Sequence, residues 1–458
     1  MRAFLKNIFQ TINKGFQKVI FSDIFWLLLL CFTFRNYFDR SIGYISYNTD
    51  SATYWLAAQN LLKGLIDDYR TPLYPLILKL IEGFGKESVF ENTIIFQQVI
   101  SFISIIPFYS LTKKWFKNKP ISFAASLLYG CHHSVLQIIY GIFAESLLIS
   151  FFVFFLYFFY GFISRPTTTK WIFLHILIFL LVMLKPLCVI LYAIMVVVGI
   201  PLFKLDPKFK EKHFQLSKIL SGYFIGFMLL IGFCTTNKVQ NDYFGISTVS
   251  HDNNLANVIL SQAYQEIPDE NLVAIIDTAR YYGHYYSIYY LNNDYEKYRK
   301  SFAAFPPQYE FSESMLGVQR IPANSLGYNR KNLAPLVKKA MCSKVYFNYI
   351  IRDFFSFSNS VMFSIKGYII YLLIYLELVL VLYQLVFKKE TDWMRIFVLL
   401  TGMGLLFASI LGGINDVTRE RVLLPVLPFL IIMFFDLINY SYFAAINYIR
   451  KRKHKKMA

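Results

Sequence analysis

At 458 residues the chain would suit about three soluble domains, yet 56% of it is hydrophobic, 19% aromatic and only 16% charged. Apolar runs of membrane-spanning length recur along it, which excludes a soluble protein and indicates an all-α polytopic membrane protein. The formal net charge of +18 is therefore no sign of a nucleic-acid partner, because Lys and Arg in such a chain fix orientation and hold lipid headgroups. Its five cysteines show neither a disulfide framework nor metal spacing.

Residues 1–18 are basic and amphipathic, with Phe4, Leu5, Ile8, Phe9, Ile12 and Phe16 on one face, and read as an interfacial helix on the cytoplasmic leaflet. About ten spans follow, at about 19–38, 91–111, 120–138, 142–163, 171–184, 187–203, 219–236, 364–387, 395–413 and 421–442. The first lacks a cleavage site and is read as a retained anchor. Basic clusters lie at Lys113 to Lys119, in 204–218, at Lys388, Lys389 and Arg395, and in the 450–456 tail. All fall on one side if both termini are cytoplasmic. The chain thus divides into an N-terminal transmembrane region at 1–236, a polar external domain at 237–360, and C-terminal spans with a basic tail at 361–458. The external domain is expected to be a mixed soluble fold. Its tyrosine-dense run at 281–290 reads first as interfacial packing and second as a platform for sugar rings.

The first external loop, 39–90, is the richest stretch. Two short interfacial helices are predicted in it. One starts near Asp50, carries the apolar stripe Tyr54, Trp55, Ala58, Leu61 and Leu62, and stops at Gly64. Thr71 is expected to cap the other, with Pro72 and Pro75 in its first turn. Between them stand Asp67, Asp68 and Arg70, where a plain ion pair of Arg70 with either aspartate is one reading.

Ionisable groups at membrane level cost about 2.5–3.5 kcal/mol each on insertion scales, so their positions carry information. On this topology Asp50, Asp67, Asp68, Arg70, His132, His133, Glu145, Lys185, Asp416, Arg419, Glu420 and Arg421 collect at one depth on the outer side. Asp50 reads either as a helix N-cap or as a carboxylate held ionised for proton abstraction. Glu145 opens a span, where the helix dipole favours an acid, and Lys185 could snorkel to the interface. His132 and His133 with Glu145 are weak candidates for a divalent metal, since adjacent histidines do not share a helix face. As a group, carboxylates beside several cations suit an anionic lipid phosphate. Charges are expected to cluster at this one surface, whereas a transporter needs them near mid-membrane.

The motif D-S-A-x-Y-x-x-x-A-x-x-L from Asp50, followed by R-x-P-L-Y-P from Arg70, resembles the first external loop of the C-type (GT-C) integral membrane glycosyltransferases. The pattern is most similar to the protein O-mannosyltransferase-like and lipid A aminoarabinose transferase-like enzymes. A-E-S-L at 144–147, L-K-P at 184–186 and R-V-L-L-P-V-L-P at 421–428 stand in the order that family uses. The resemblance implies sugar transfer from a polyprenyl-phosphate-linked donor to an acceptor on the external face of a membrane, a bacterial inner (plasma) membrane here. Asp50 matches the first-loop catalytic carboxylate and Arg70 the loop arginine. Lys185 stands where the family often has arginine, and Arg421 matches a C-terminal arginine. Ser51 replaces the Glu that follows the aspartate in the mannosyltransferase branch, and Val422 a Tyr, so a role that needs both acids is not carried over.

A lipid phosphate leaves as an anion and needs positive charge, for which Arg70, Lys185 and Arg421 are the candidates. The acceptor hydroxyl needs a base, for which Asp50 is the candidate, and direct displacement inverts the anomeric carbon. Glu145, Asp68, Tyr74 and Arg419 are expected to support them. Pro425 and Pro428 are expected to bend the last span. These residues name no cofactor, and a divalent metal stays open, as does the acceptor (protein, glycan or lipid). The rival readings are a polysaccharide polymerase or ligase acting on lipid-linked glycans and a lipid-linked sugar transporter.

Overall fold

The computed structural model describes residues 22–42, 49–61, 63–85, 87–211, 216–248, 254, 257–259, 261–274, 276–277, 330–357, 361–362, 365–412 and 421–457. The interfacial helix expected at 1–18, the tyrosine run at 281–290, and Asp416, Arg419 and Glu420 lie outside them.

The described chain is almost wholly helical, as apolar segments in a membrane must be to satisfy their own backbone. In order come α1 (Asp23–Ile42), α2 (Thr49–Leu61), α3 (Leu73–Glu82), α4 (Val89–Ile103), α5 (Ile105–Phe116), α6 (Lys119–Cys131), α7 (His133–Ile139), α8 (Ala144–Ser164) and α9 (Thr168–Leu184). A 3-10 turn (Pro186–Val189) leads into α10 (Ile190–Leu205), then α11 (Pro207–Glu211) and α12 (Leu216–Asn241). After a 3-10 turn at Ala263–Glu266 come α13 (Arg330–Met341) and α14 (Lys344–Ser356). A two-residue antiparallel ladder pairs Val361 with Lys366 and Met362 with Ile365. The chain closes with α15 (Gly367–Tyr383), a π-turn (Gln384–Lys388), α16 (Trp393–Gly412), a 3-10 turn (Leu424–Val426) and α17 (Leu427–Met457).

Among the described residues, seven helical stretches are long and apolar enough to cross a membrane: Val89–Phe116, Ala144–Ser164, Pro186–Leu205, Ser217–Asn241, Gly367–Lys388, Trp393–Ile410 and Arg421–Arg450. Each coincides with an expected span. The three other expected spans differ for identifiable reasons. Helix α1 carries Asp23, Arg35, Asp39 and Arg40. Helix α9 is apolar but only 17 residues long. The third expected span is two helices, α6 and α7, because His132 is extended (φ −66°, ψ 123°) and breaks the ladder between them.

Helix α8 is the central post. Its sequence is apolar nearly all round, and most of it is buried, with Phe158 the exposed apolar exception. Leu147, Leu148, Ile149, Phe152, Val153, Phe155, Leu156, Phe159 and Phe162 are buried on it. It packs against α4, α5, α9, α16 and α17. Phe152 meets Phe429, and Phe159 meets Phe397, at ring-centroid distances of 5.4 and 3.9 Å. At the other extreme, α12 and α15 leave most of their apolar side chains exposed, so these two face lipid. Helix α1 packs on α6 at Gly130, where a Cβ would lie 2.6 Å from Cys31 Sγ.

Chain direction defines two ends. Helices α8 and the Arg421–Arg450 stretch begin, and α9 finishes, at one end, beside the first-loop helices α2 and α3. The lysines at 113–119, Arg165 and the basic tail lie at the other. Within 237–360 the described residues are helices, a 3-10 turn and short irregular segments such as 242–248. They include a small separate core of Val258, Ile259, Ala263, Tyr264, Ile267, Leu272 and Ile276 with Val337, Ala340 and Tyr346.

Candidate active site

Helix α2 sets the site. Asp50 lies in its first turn, and Gly64 ends the segment at φ +71°, a left-handed conformation glycine adopts without strain. The N-cap reading of Asp50 is overturned by where its oxygens go. Oδ1 accepts from Nη2 of Arg70, and Oδ2 from Nη2 of Arg421, 371 residues further along the chain.

Arg70 reaches Asp50 because the preceding loop is shaped for it. Asp67 Oδ1 accepts the backbone N–H groups of Tyr69 and Arg70 at 2.8 and 2.7 Å, an Asx turn. The guanidinium therefore goes to Asp50 rather than to a neighbouring aspartate. Its Nε donates to Thr53 Oγ1 at 2.8 Å, and it stacks over Tyr54 and Tyr69, 4.4 and 4.8 Å from the ring centroids. Asp68 contributes its backbone carbonyl, which accepts from Thr248 N at 2.7 Å and Thr248 Oγ1 at 3.1 Å. Ser247 Oγ donates to Tyr69 O at 2.6 Å, and Gln240 and Asn241 bond Gly64 and Ile66. The end of α12 and the segment after it thus strap down the loop that carries Arg70.

Arg421 lies between two acids. It stacks over Phe143, 4.6 Å from the centroid, and its Nε faces Glu145 Oε1 at 3.3 Å. Glu145, in the first turn of α8, is itself ion-paired with Lys185, the residue that ends α9. Lys185 therefore does not snorkel. Thr71, expected as a cap, instead donates its hydroxyl to Leu184 O at 3.2 Å and ties the first loop to that same turn, while Pro72 is the N-cap of α3.

The result is an alternating chain, Arg70–Asp50–Arg421–Glu145–Lys185, three cations to two anions. Its exposure is graded: Asp50 keeps 28% of its side chain open, Arg421 18% and Lys185 17%, while Glu145 is sealed at 2%. Burial alone would raise the pKa of Asp50, but the charges of Arg70 and then Arg421 outweigh it and hold the carboxyl well below the usual carboxylate range. Burial pulls on Arg70 in the opposite sense, and the surrounding Tyr54 and Asp50 keep it firmly protonated.

Beneath the site lies a buried layer of which the sequence points only to Tyr74. Gln97 is fully buried on α4, and Tyr74 donates to its Oε1 at 2.7 Å. Its amide group donates to Ile139 O at 2.8 Å and Gly141 O at 3.1 Å, and Ser146 Oγ bonds it as well. Gln97 thereby pins the turn that presents Phe143 and Glu145. Tyr74 acts through this network, and its ring meets Tyr54 at 4.9 Å. A glutamine inside an apolar span was the available signal.

His132 and His133 do not converge on Glu145. His133 packs edge-on against Phe38, and among the described residues no group of three His, Cys, Asp or Glu could hold a metal. The expectation that charge clusters at one surface also needs correction. Glu377 and Asp436 sit within spans and meet Arg395 near the opposite end of the bundle.

Residues 69–246 match the model of the dolichyl-phosphate-mannose-protein mannosyltransferase family. That stretch contains Arg70, Tyr74, Glu145 and Lys185, and leaves Asp50 and Arg421 outside it on either side. The match supports a membrane glycosyltransferase of the GT-C type that uses lipid-linked sugar donors. Among curated proteins none matches the sequence significantly.

Proposed function

We propose that the chain is an inverting glycosyltransferase that moves a sugar from a polyprenyl-phosphate donor to an acceptor hydroxyl at the external face of a bacterial plasma membrane. The observation that carries this reading is a partly open carboxylate gripped by two arginines at one end of the bundle, with a third cation one acid away. Arg70 and Arg421 offer paired N–H donors to phosphate oxygens, and Lys185 adds a point charge. Together they stabilise the negative charge that grows on the leaving lipid phosphate. Asp50 takes the acceptor proton.

Orientation follows from charge. The lysine-rich ends lie away from Asp50, so a positive-inside arrangement puts both termini in the cytoplasm and the site outside. The polyprenyl chain would lie against the apolar flanks of the bundle. Residues 237–360 would form the external domain that chooses the acceptor, and their strap onto the Arg70 loop would couple that choice to the donor site.

The test is to incubate purified protein with a panel of polyprenyl-phosphate sugars and candidate acceptors and to assay released lipid phosphate. Release that depends on one sugar and on Asp50 is the expected outcome. No release across the panel, from protein that is folded, overturns the reading.

A further inference from the structure

Donor phosphate and Asp50 require the same place. Each oxygen of the carboxylate faces one guanidinium, the two-pronged grip arginine gives to any anion with two oxygens. Arg421 turns its Nε toward Glu145 Oε1 at 3.3 Å, which leaves its Nη2 end for the anion on the open side. The anion that fills the grip is the most open member of the cluster, while the other anion, Glu145, is sealed beneath it. A ligand arriving from outside meets Asp50 first.

We propose that Asp50 is a resident anion which the donor's phosphate displaces from Arg70 and Arg421, so that the base is released only once donor is bound. This rests on the donor reading above. While both arginines hold it, the carboxylate is a poor proton acceptor, since neighbouring cations stabilise its ionised form. A phosphate in its place takes over those cations and sets a negative charge beside Asp50, which favours the protonated form. Transfer then balances. The acceptor hydroxyl gives its proton to Asp50, and its oxygen bonds the anomeric carbon. The bond from that carbon to the phosphate oxygen breaks, leaving its electron pair on the phosphate. The phosphate passes from one negative charge to two as Asp50 passes from one to none, so the total charge of the site is unchanged while the arginines meet the charge that develops on the phosphate. Glu145 keeps Arg421 and Lys185 in position throughout.

The test is direct binding of a short-chain polyprenyl phosphate to the full-length protein in detergent, for wild type, Asp50→Asn, Asp50→Ser and Glu145→Gln, with a melting curve for each. Removing the resident anion should tighten binding at least tenfold in either Asp50 variant, although both lose transfer. Two Asp50 variants are used so that one folded protein suffices. Glu145→Gln should gain much less. Equal or weaker binding by the Asp50 variants, with wild type binding, overturns the displacement. An equal gain in Glu145→Gln also overturns it, by showing that general charge is responsible. If no protein, wild type included, binds the lipid phosphate, the donor reading fails and takes this inference with it.

Discussion

Among the described residues the bundle holds two clusters of acids and arginine, one at each end, called outer and inner after the proposed orientation, and they are built to opposite purposes. At the outer one, three cations hold two carboxylates, and the side chains of Asp50, Arg421, Lys185 and Arg70 are 28, 18, 17 and 11% exposed. At the inner one, Arg395 binds Asp436 through both Nε and Nη2, at 2.5 and 2.9 Å, with Glu377 at 3.6 Å. There the exposures are only 7, 3 and 1%. The inner cluster joins α15, α16 and α17 and its side chains are almost sealed, so it reads as a staple. A surplus of accessible positive charge is what an anionic substrate needs, and the outer cluster alone has it. These charges within spans lie near one end of the bundle and are thus no argument for a transporter.

That contrast can be broken most sharply at Asp50. Asp50→Asn should lower turnover by about 10² to 10⁴, the usual contribution of a positioned base, with a smaller fall in melting temperature from the loss of its pairs with Arg70 and Arg421. Released lipid phosphate and a melting curve on one preparation check both halves. Asp436→Asn should do the reverse. Leaving a buried arginine without its bidentate partner costs about 3–5 kcal/mol. Thermal unfolding in detergent should show a large loss, with transfer per folded molecule unchanged.

Next in size is donor affinity. Arg421→Ala should weaken polyprenyl-phosphate binding by more than tenfold, and Lys185→Ala by less, since Arg421 meets both acids and Lys185 only one. Equal losses would remove the distinction drawn between them. A smaller effect is expected with pH. The folded pKa of Asp50 lies below the unfolded value of about 3.9. Its contribution to stability is therefore fully present above that value and is lost as pH falls through the lower folded one. Melting temperatures taken from pH 7 down to pH 3 should fall less in Asp50→Asn than in wild type. Smallest of all, Glu377→Gln should shift stability by less than about 1 kcal/mol, because neither Glu377 oxygen has a hydrogen-bond partner among the described residues. A large loss would show that its charge matters to the staple.

Much of the fold was legible because membrane helices announce themselves by length and apolarity. The fourth, sixth, eighth and ninth spans fall within a few residues of their expected bounds. The errors came where a local rule competed with a distant partner. Thr71 looks like a cap until Leu184 claims its hydroxyl. Arg70 has aspartates two and three residues away, yet Asp67 is occupied by the backbone and the guanidinium reaches back to Asp50. The break at His132 has no proline, and Gly130, two residues before it, is still helical, so neither marks the residue at which the ladder stops.

Charge type and chain order, by themselves, determined that this is a helical membrane protein whose lysine-rich stretches share one end, since hydropathy and the pattern of lysines are read along the chain alone. Which of those charges meet was decided only by packing. Asp50, Glu145, Lys185 and Arg421 come from four separate segments. What brings them together is the arrangement of α8, α9 and α17 and the buried amide of Gln97 beneath. No spacing along the chain encodes that arrangement.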